Sequence, residues 1–383
     1  MTLRDIGYRI GKAQSQRPWM FLIAALILTV VLIPGIPLLL KNVEPSLEKV
    51  LPQDLEEVRV MNDMRSQFGA DMLYVVLTAD GTASDLMDQE SVKYITELSA
   101  ALSTVEDVRQ VMSIADVVAP DGVVRERTTL VRLAHDDPRG ARYVSADMRT
   151  GVIMIRADTG ASADTVGEVL AGIHTTIAAL EEQNPGLTVR VTGFGAIDQA
   201  TFKVIIADFL RITGISFALM IGFLLIHYRG SLKKTLYSMA IMVFALVWAL
   251  GVTGYLGIEL NVVTMVAAAM IMALGSSYGI NSVYHYYDDF LLQYPRDEAI
   301  AKFQEFLIVG LSGSALAEVG GFLALLFGMM PSMRSLGIIL AIGILFALAA
   351  SVLVLPALFA LLESGPQPKK KHNHGGKKYA TRT

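Results

Sequence analysis

The chain of 383 residues contains no cysteine. Disulfides, thiolate metal sites and thiol nucleophiles are therefore excluded, and any domain outside a bilayer must be held by its own apolar core. Charge is scarce too, at 18% of residues against 53% hydrophobic, a balance that suits a membrane protein better than a soluble one. The formal net charge of −4 hides an asymmetry: acidic residues gather between about Asp54 and Asp198, and basic ones crowd the two ends. No basic face is left for phosphates, which argues against a nucleic-acid partner.

What the sequence does have is long apolar runs. A membrane-crossing helix needs ~20 mainly apolar residues, and six stretches qualify: Trp19–Leu40, Phe209–His227, Leu236–Leu256, Val262–Tyr284, Phe306–Met330 and Leu336–Leu362. The first is too long for a secretory signal, and Ile33-Pro34-Gly35-Ile36-Pro37 is no small-residue cleavage site, so it reads as a retained anchor. Arg4, Arg9, Lys12 and Arg17 precede it, Arg229, Lys233 and Lys234 follow the second run, and Arg296 and Lys302 follow the fourth. Lys369, Lys370, Lys371, Lys377 and Lys378 lie in the tail. Positive charge stays on the cytoplasmic side, so the expected layout is a cytoplasmic N-terminus (1–18), a first span (19–40), an extracytoplasmic domain (41–205), five spans (206–362) and a basic cytoplasmic tail (363–383).

The large insert alternates strand-like and helix-like patterns. Met72–Thr78 is an apolar strand run, Glu90–Ser103 carries apolar residues at helical spacing, and Val108–Met112 is again a strand. Val152–Ile155, the amphipathic Asp164–Gln183 and Leu187–Thr192 repeat that order, with Asn184-Pro185-Gly186 as the stop. Two β-α-β halves predict a ferredoxin-like α+β domain, an arrangement that carries no activity by itself. The fold class expected is therefore an α-helical membrane protein with six transmembrane helices and an α+β ferredoxin-like extracytoplasmic domain.

Chemistry-bearing clusters are few. His135 and His174 have no spaced partner and read as surface or helix-face residues, and Asp136-Asp137-Pro138 reads as a solvated turn. Asp208 and Arg211, one turn apart, read as an interfacial pair at the outer end of the second span. Tyr284, His285, Tyr286 and Tyr287 read as an aromatic belt at the cytoplasmic end of the fourth. Met265, Met270 and Met272 read as packing, and His372 and His374 as part of a basic tail near anionic lipid. No catalytic set, metal site or cofactor is expected.

A series of short motifs resembles one repeat of the resistance–nodulation–division superfamily, in its hydrophobe/amphiphile efflux and MMPL branches. Leu51-Pro52-Gln53-Asp54 and Phe68-Gly69 resemble its pattern after the first span. Val144-Ser145-Ala146-Asp147 with Gly151–Ile155, and then Thr192-Gly193, resemble the pattern leading to the second. Leu256-Gly257-Ile258-Glu259-Leu260-Asn261, Gly320-Gly321-Phe322-Leu323-Ala324-Leu325 and Leu355-Pro356-Ala357-Leu358 follow in the family's order. The resemblance covers some 350 residues and implies proton-driven export of apolar or amphiphilic molecules, lipids among them.

That family couples protons through an acidic residue in the fourth span, beside a tyrosine and an isoleucine. Here Tyr278 and Ile280 match, but Ser277 stands at the aspartate's place and Asn281 at the histidine's. Serine does not titrate near neutral pH. Glu318, in the fifth span where the family has a threonine, is the candidate replacement. A central acid costs ~2.5–3.5 kcal/mol on insertion scales and normally faces protein or a watery path. Glu318 is expected to pack against Ser276, Ser277 or Tyr278. Gly275 and Gly279 in the fourth span, and Gly313, Ala317 and Gly321 in the fifth, are expected to let helices approach closely.

The expected function is secondary-active export from a cell membrane, with no enzymatic activity. Its expected partners are membrane lipids, a hydrophobic or amphiphilic small molecule, and a second copy or second half-transporter, since relatives carry two such repeats. The alternative is a non-transporting lipid- or sterol-sensing or accessory protein of the same fold, which Ser277 favours and Glu318 opposes. A two-subunit protein-translocation auxiliary fits the motif series less well.

Overall fold

The computed structural model describes residues 2–60, 63, 72–79, 85–158 and 163–363. The Phe68-Gly69 pair and the tail, with its lysines and with His372 and His374, lie outside the described residues. The elements used below run along the chain as α1 (Leu3–Gln16), α2 (Pro18–Leu32), α3 (Gly35–Lys41), β1 (Met72–Thr78), α4 (Gln89–Leu102), β2 (Val108–Met112), β3 (Thr150–Ala157), α5 (Ala163–Ala179) and β4 (Thr188–Gly193). Then come α6 (Phe194–His227), α7 (Leu232–Tyr255), α8 (Ala267–His285), α9 (Arg296–Phe306), α10 (Ser312–Leu323), α11 (Pro331–Leu353) and α12 (Leu355–Leu362). Two compact units result: Pro45–Val204 holds the sheet, and Met1–Glu44 with Ile205–Thr383 holds the helices.

In the sheet unit, alternation drives the architecture. β1 buries Leu73, Val75 and Leu77 and turns the residues between them away, and β3 does the same with Ile153 and Ile155. The sheet is antiparallel in the order β2-β3-β1-β4, with Val75 opposite Ile153 on one side and Val191 on the other. α4 contributes Val92, Ile95, Leu98 and Leu102, and α5 contributes Val169, Leu170 and Ile173, to one apolar core with the inner sheet face. With no cysteine to staple it, that core is what holds the unit.

The other unit contains six helical stretches long and apolar enough to cross a membrane: Pro18–Lys41, Phe194–His227, Leu232–Tyr255, Thr264–Phe290, Arg296–Phe327 and Pro331–Leu362. The chain is a multi-pass membrane protein. α7, α8 and α11 form the centre, where Trp248, Ile271, Leu340 and Ile344 are buried. Trp248 donates its indole N–H to Thr29 Oγ1 at 2.8 Å, which satisfies its polar edge inside the bundle.

The spans differ from the apolar runs in ways that have identifiable causes. The second begins at Phe194 rather than Phe209, because no proline stands between Gly193 and Tyr228 and helix continues through a more polar start. Asp208 and Arg211, 3.5 Å apart, lie within α6, about four turns from its start. The first span is interrupted at Ile33 and Pro34. There Gly35 meets α7 so closely that an added Cβ would sit 2.0 Å from Gly251 O.

The last span breaks at Val354, ahead of Pro356. Proline has no N–H, so the carbonyl four residues before it loses its helical partner. That carbonyl belongs to Val352, and two side chains supply donors instead. Gln14 Nε2 of α1 approaches it at 2.8 Å and Gln304 Nε2 of α9 at 3.2 Å. Both glutamines are fully buried.

Candidate functional site

Two spans, α8 and α10, carry the intramembrane residues expected to form the site. α8 packs on α7 through small residues: a Cβ on Gly279 would lie 2.9 Å from Ser238 Cα, and one on Gly275 would lie 3.3 Å from Met242 Cα. This close seam sets the rotation of α8 and directs Tyr278, only 3% exposed, into the bundle. Tyr278 Oη donates to Glu318 Oε2 of α10 at 3.3 Å.

The remaining expected site residues are not gathered around that bond. Ser276 is buried and turns its hydroxyl back to Ala273 O at 2.7 Å. Ser314 of α10, which was not among the expected site residues, does lie beside the Tyr278 hydroxyl and bonds Leu311 O at 3.0 Å. Ser277 and Asn281 lie on an exposed stripe of α8 together with Ala273, at helical spacing of four. On α10, Gly313, Ala317 and Gly321 form a matching exposed stripe. An added Cβ at Gly313 or Gly321 would meet no described atom within 4 Å. Close approach within this chain is seen at Gly275 and Gly279 and not at Gly313 or Gly321. The reason is geometric: α10 turns those positions away from α11, its neighbour.

The tyrosines after Val283 divide between two environments, which corrects the aromatic-belt reading. Tyr284 is 55% exposed, as a belt residue would be. Tyr286 is fully buried and stacks on Phe359 with centroids 3.8 Å apart. Tyr287 donates to the Glu363 carboxylate. A helix turns ~100° per residue, so neighbours in a run of aromatics cannot share one lipid-facing side.

Glu363 was not singled out in the sequence, yet it gathers a polar cluster at this end of the bundle. Tyr237 Oη donates to Glu363 Oε1 at 3.1 Å, and Lys233 Nζ lies 2.9 Å from the same oxygen. Arg296 donates to Ala360 O, and Lys233 to Leu362 O at 3.0 Å. α12 is thereby fastened to α7 and to the start of α9. The available signal was a lone acid closing an apolar run opposite Lys233.

Elsewhere, His135 and His174 are exposed, and Asp137 pairs with Arg139 at 2.7 Å. That hydrogen-bonded guanidinium holds the Asp137 carboxyl below its ordinary value. Among the described residues, no three histidine or acidic side chains are placed to share a metal ion. An apolar groove of about 490 Å³ runs along α2, lined by Trp19, Ile23, Ile27, Phe244, Val354 and Leu358 among others.

The chain as a whole, spans and insert alike, is similar in sequence to known proteins. The profile of the MMPL family matches residues 49–380. The chain belongs to the MMPL family. Its MMPL relatives differ greatly in length. A protein of Methanocaldococcus jannaschii described only as a membrane protein is 25% identical over 98% of both chains. The probable transport protein MmpL8 of Mycobacterium bovis is 25% identical over 92% of this chain but only 31% of its own length. The hopanoid transporter HpnN of Rhodopseudomonas palustris is 28% identical over 47% of this chain and 21% of its own. The chain therefore spans about a third or less of the two relatives named as transporters.

Proposed function

We propose that this MMPL protein is one half of a secondary exporter of hydrophobic or amphiphilic molecules, lipids among them, driven by protons moving through Glu318. The observation that carries the reading is the Tyr278–Glu318 pair at 3.3 Å, joining the fourth and fifth spans. A carboxyl held there can gain and lose a proton while tyrosine keeps it bonded in either state. The transporter names of the relatives support the reading. The apolar groove along α2 offers a membrane-facing path for an acyl or ring system.

In this reading both termini are cytoplasmic and the sheet unit is the extracytoplasmic, ferredoxin-like substrate domain. The strand order β2-β3-β1-β4 with α4 and α5 on one face supports that fold. The stripes containing Ser277, Asn281, Gly313 and Gly321 would face a second copy or a second half-transporter, because polar residues facing lipid are costly. Ser277, which cannot carry a proton, favours the alternative of a lipid- or sterol-sensing or accessory protein.

Reconstitution into vesicles with a trapped pH-sensitive dye decides between them. Amphiphile-dependent proton flux that is lost in Glu318→Gln is the expected result. Lipid binding without flux would replace export by sensing.

A further inference from the structure

We propose that α1 is an interfacial helix, docked on an anionic leaflet through the stripe Leu3, Ile6, Ile10 and Ala13. The helix has three distinct sides. Gly7, Gly11 and Gln14 are buried against α9, where a Cβ on Gly11 would lie 2.7 Å from Ala301 Cα. Ser15 Oγ donates to Asp297 at 2.6 Å, and Lys302 Nζ sits 5.4 Å above the Tyr8 ring, so this docking side is well tied. A second side carries Arg4, Asp5, Arg9, Lys12 and Gln16, all exposed.

The third side is the apolar stripe, at spacings of three and four that give one face of a helix. Leu3 is 64% exposed and Ile6 37% exposed, so part of the stripe is left open by the protein. Continuity with the membrane says what covers it. Arg17 alone separates α1 from the first span, and Trp19, 64% exposed at the start of α2, is a residue type that marks the bilayer interface.

Charge selects the leaflet. Arg4, Arg9, Lys12 and Arg17 stand against Asp5 as the one acid of the segment. Asp5 is engaged by Thr2 in a capping box. A helix with a basic polar side and an apolar stripe lies in the plane of an anionic surface.

The test uses the full-length chain, whose lack of cysteine permits single labelled cysteines. Nitroxides at Ile6→Cys, Ile10→Cys and Lys12→Cys are compared in vesicles of phosphatidylcholine with and without phosphatidylglycerol. Labels at 6 and 10 are expected to meet oxygen in preference to a water-soluble nickel chelate, and the label at 12 the reverse. Replacing Arg4, Arg9 and Lys12 by Glu should move the label at 6 towards the chelate in phosphatidylglycerol vesicles. Equal chelate access at 6 and 12 would overturn the proposal. Spin–spin broadening at 6 would also overturn it, by placing a second copy on the stripe instead of lipid.

Discussion

Tyr278 and Glu318 are joined across two spans by one hydrogen bond of 3.3 Å, while the serine beside the tyrosine, Ser277, stays on the exposed side. The pair unites a residue typical of the family pattern with one that departs from it. Interhelical hydrogen bonds in membranes average ~0.6 kcal/mol. Tyr278→Phe should therefore lower stability in detergent by about 0.5–1.5 kcal/mol and leave the fold intact. Transport, if it depends on this bond, should fall in Tyr278→Phe and be lost in Glu318→Gln. Unchanged pH dependence of transport in both variants would remove Glu318 from the mechanism.

A second prediction concerns the break in the last span. Removing Gln14 as donor, in Gln14→Leu, leaves the Val352 carbonyl with weaker support and should cost about 1 kcal/mol. In a Pro356→Ala background an N–H returns to that carbonyl, so the same substitution should cost at least ~0.5 kcal/mol less. Denaturant unfolding of the four chains in micelles measures the coupling. Equal costs in both backgrounds would mean that the glutamines do not answer the proline.

The glycines separate packing within the chain from packing between chains. Gly279→Val places a side chain against Ser238 backbone atoms 2.9 Å from its Cβ and should destabilise by about 1–3 kcal/mol. A Cβ at Gly321 meets nothing within 4 Å, and leucine favours helix over glycine, so the unfolding midpoint of Gly321→Leu should not fall below that of the unsubstituted chain. If a second copy covers that stripe, the mass of the Gly321→Leu particle in detergent should fall to that of a single chain.

The sheet unit should lose stability in alkali through Tyr94. This side chain on α4 is 1% exposed, and its hydroxyl is buried without a described partner. Desolvation, reinforced by the charge of Glu181, pushes its pKa up from 10.0 to about 12. The folded state thus holds the proton more tightly than the unfolded chain. Stability from this residue is full below about pH 10 and is lost as pH rises towards about 12. Circular dichroism of the full chain between pH 8 and 12 should show a shallower loss for Tyr94→Phe, whose stability at neutral pH should be equal or higher.

Strands and spans were legible because each has a short-range signature. The alternation of Leu73, Val75 and Leu77, and the unbroken apolar run that contains Trp248, need no partner to be recognised. Breaks inside spans were harder to read. Pro34 and Pro356 were visible, but a proline tells where a helix is strained and not which side chain relieves it. The Gln14–Val352 contact joins residues 338 apart. Docking sides made of glycine, such as Gly7 and Gly11, carry no hydropathy, so residues 1–18 read only as a charged cytoplasmic N-terminus. Gly313 and Gly321 resembled Gly275 and Gly279 in sequence and differ only in what lies opposite. The Glu363 cluster likewise depends on Tyr237 and Tyr287 arriving from distant segments.

The Gln14–Val352 contact also orders the making of the protein. At ~5–20 residues per second, synthesis separates the two groups by on the order of 17–70 s. Through that interval the first helix is already outside the ribosome, with a polar amide that has no final acceptor and a glycine seam waiting for α9. This contact therefore closes only when the sixth span has been delivered. A nascent chain released short of Val352 would hold α1 on α9 yet leave the Gln14 amide without this acceptor, a local defect that quality-control proteases could read.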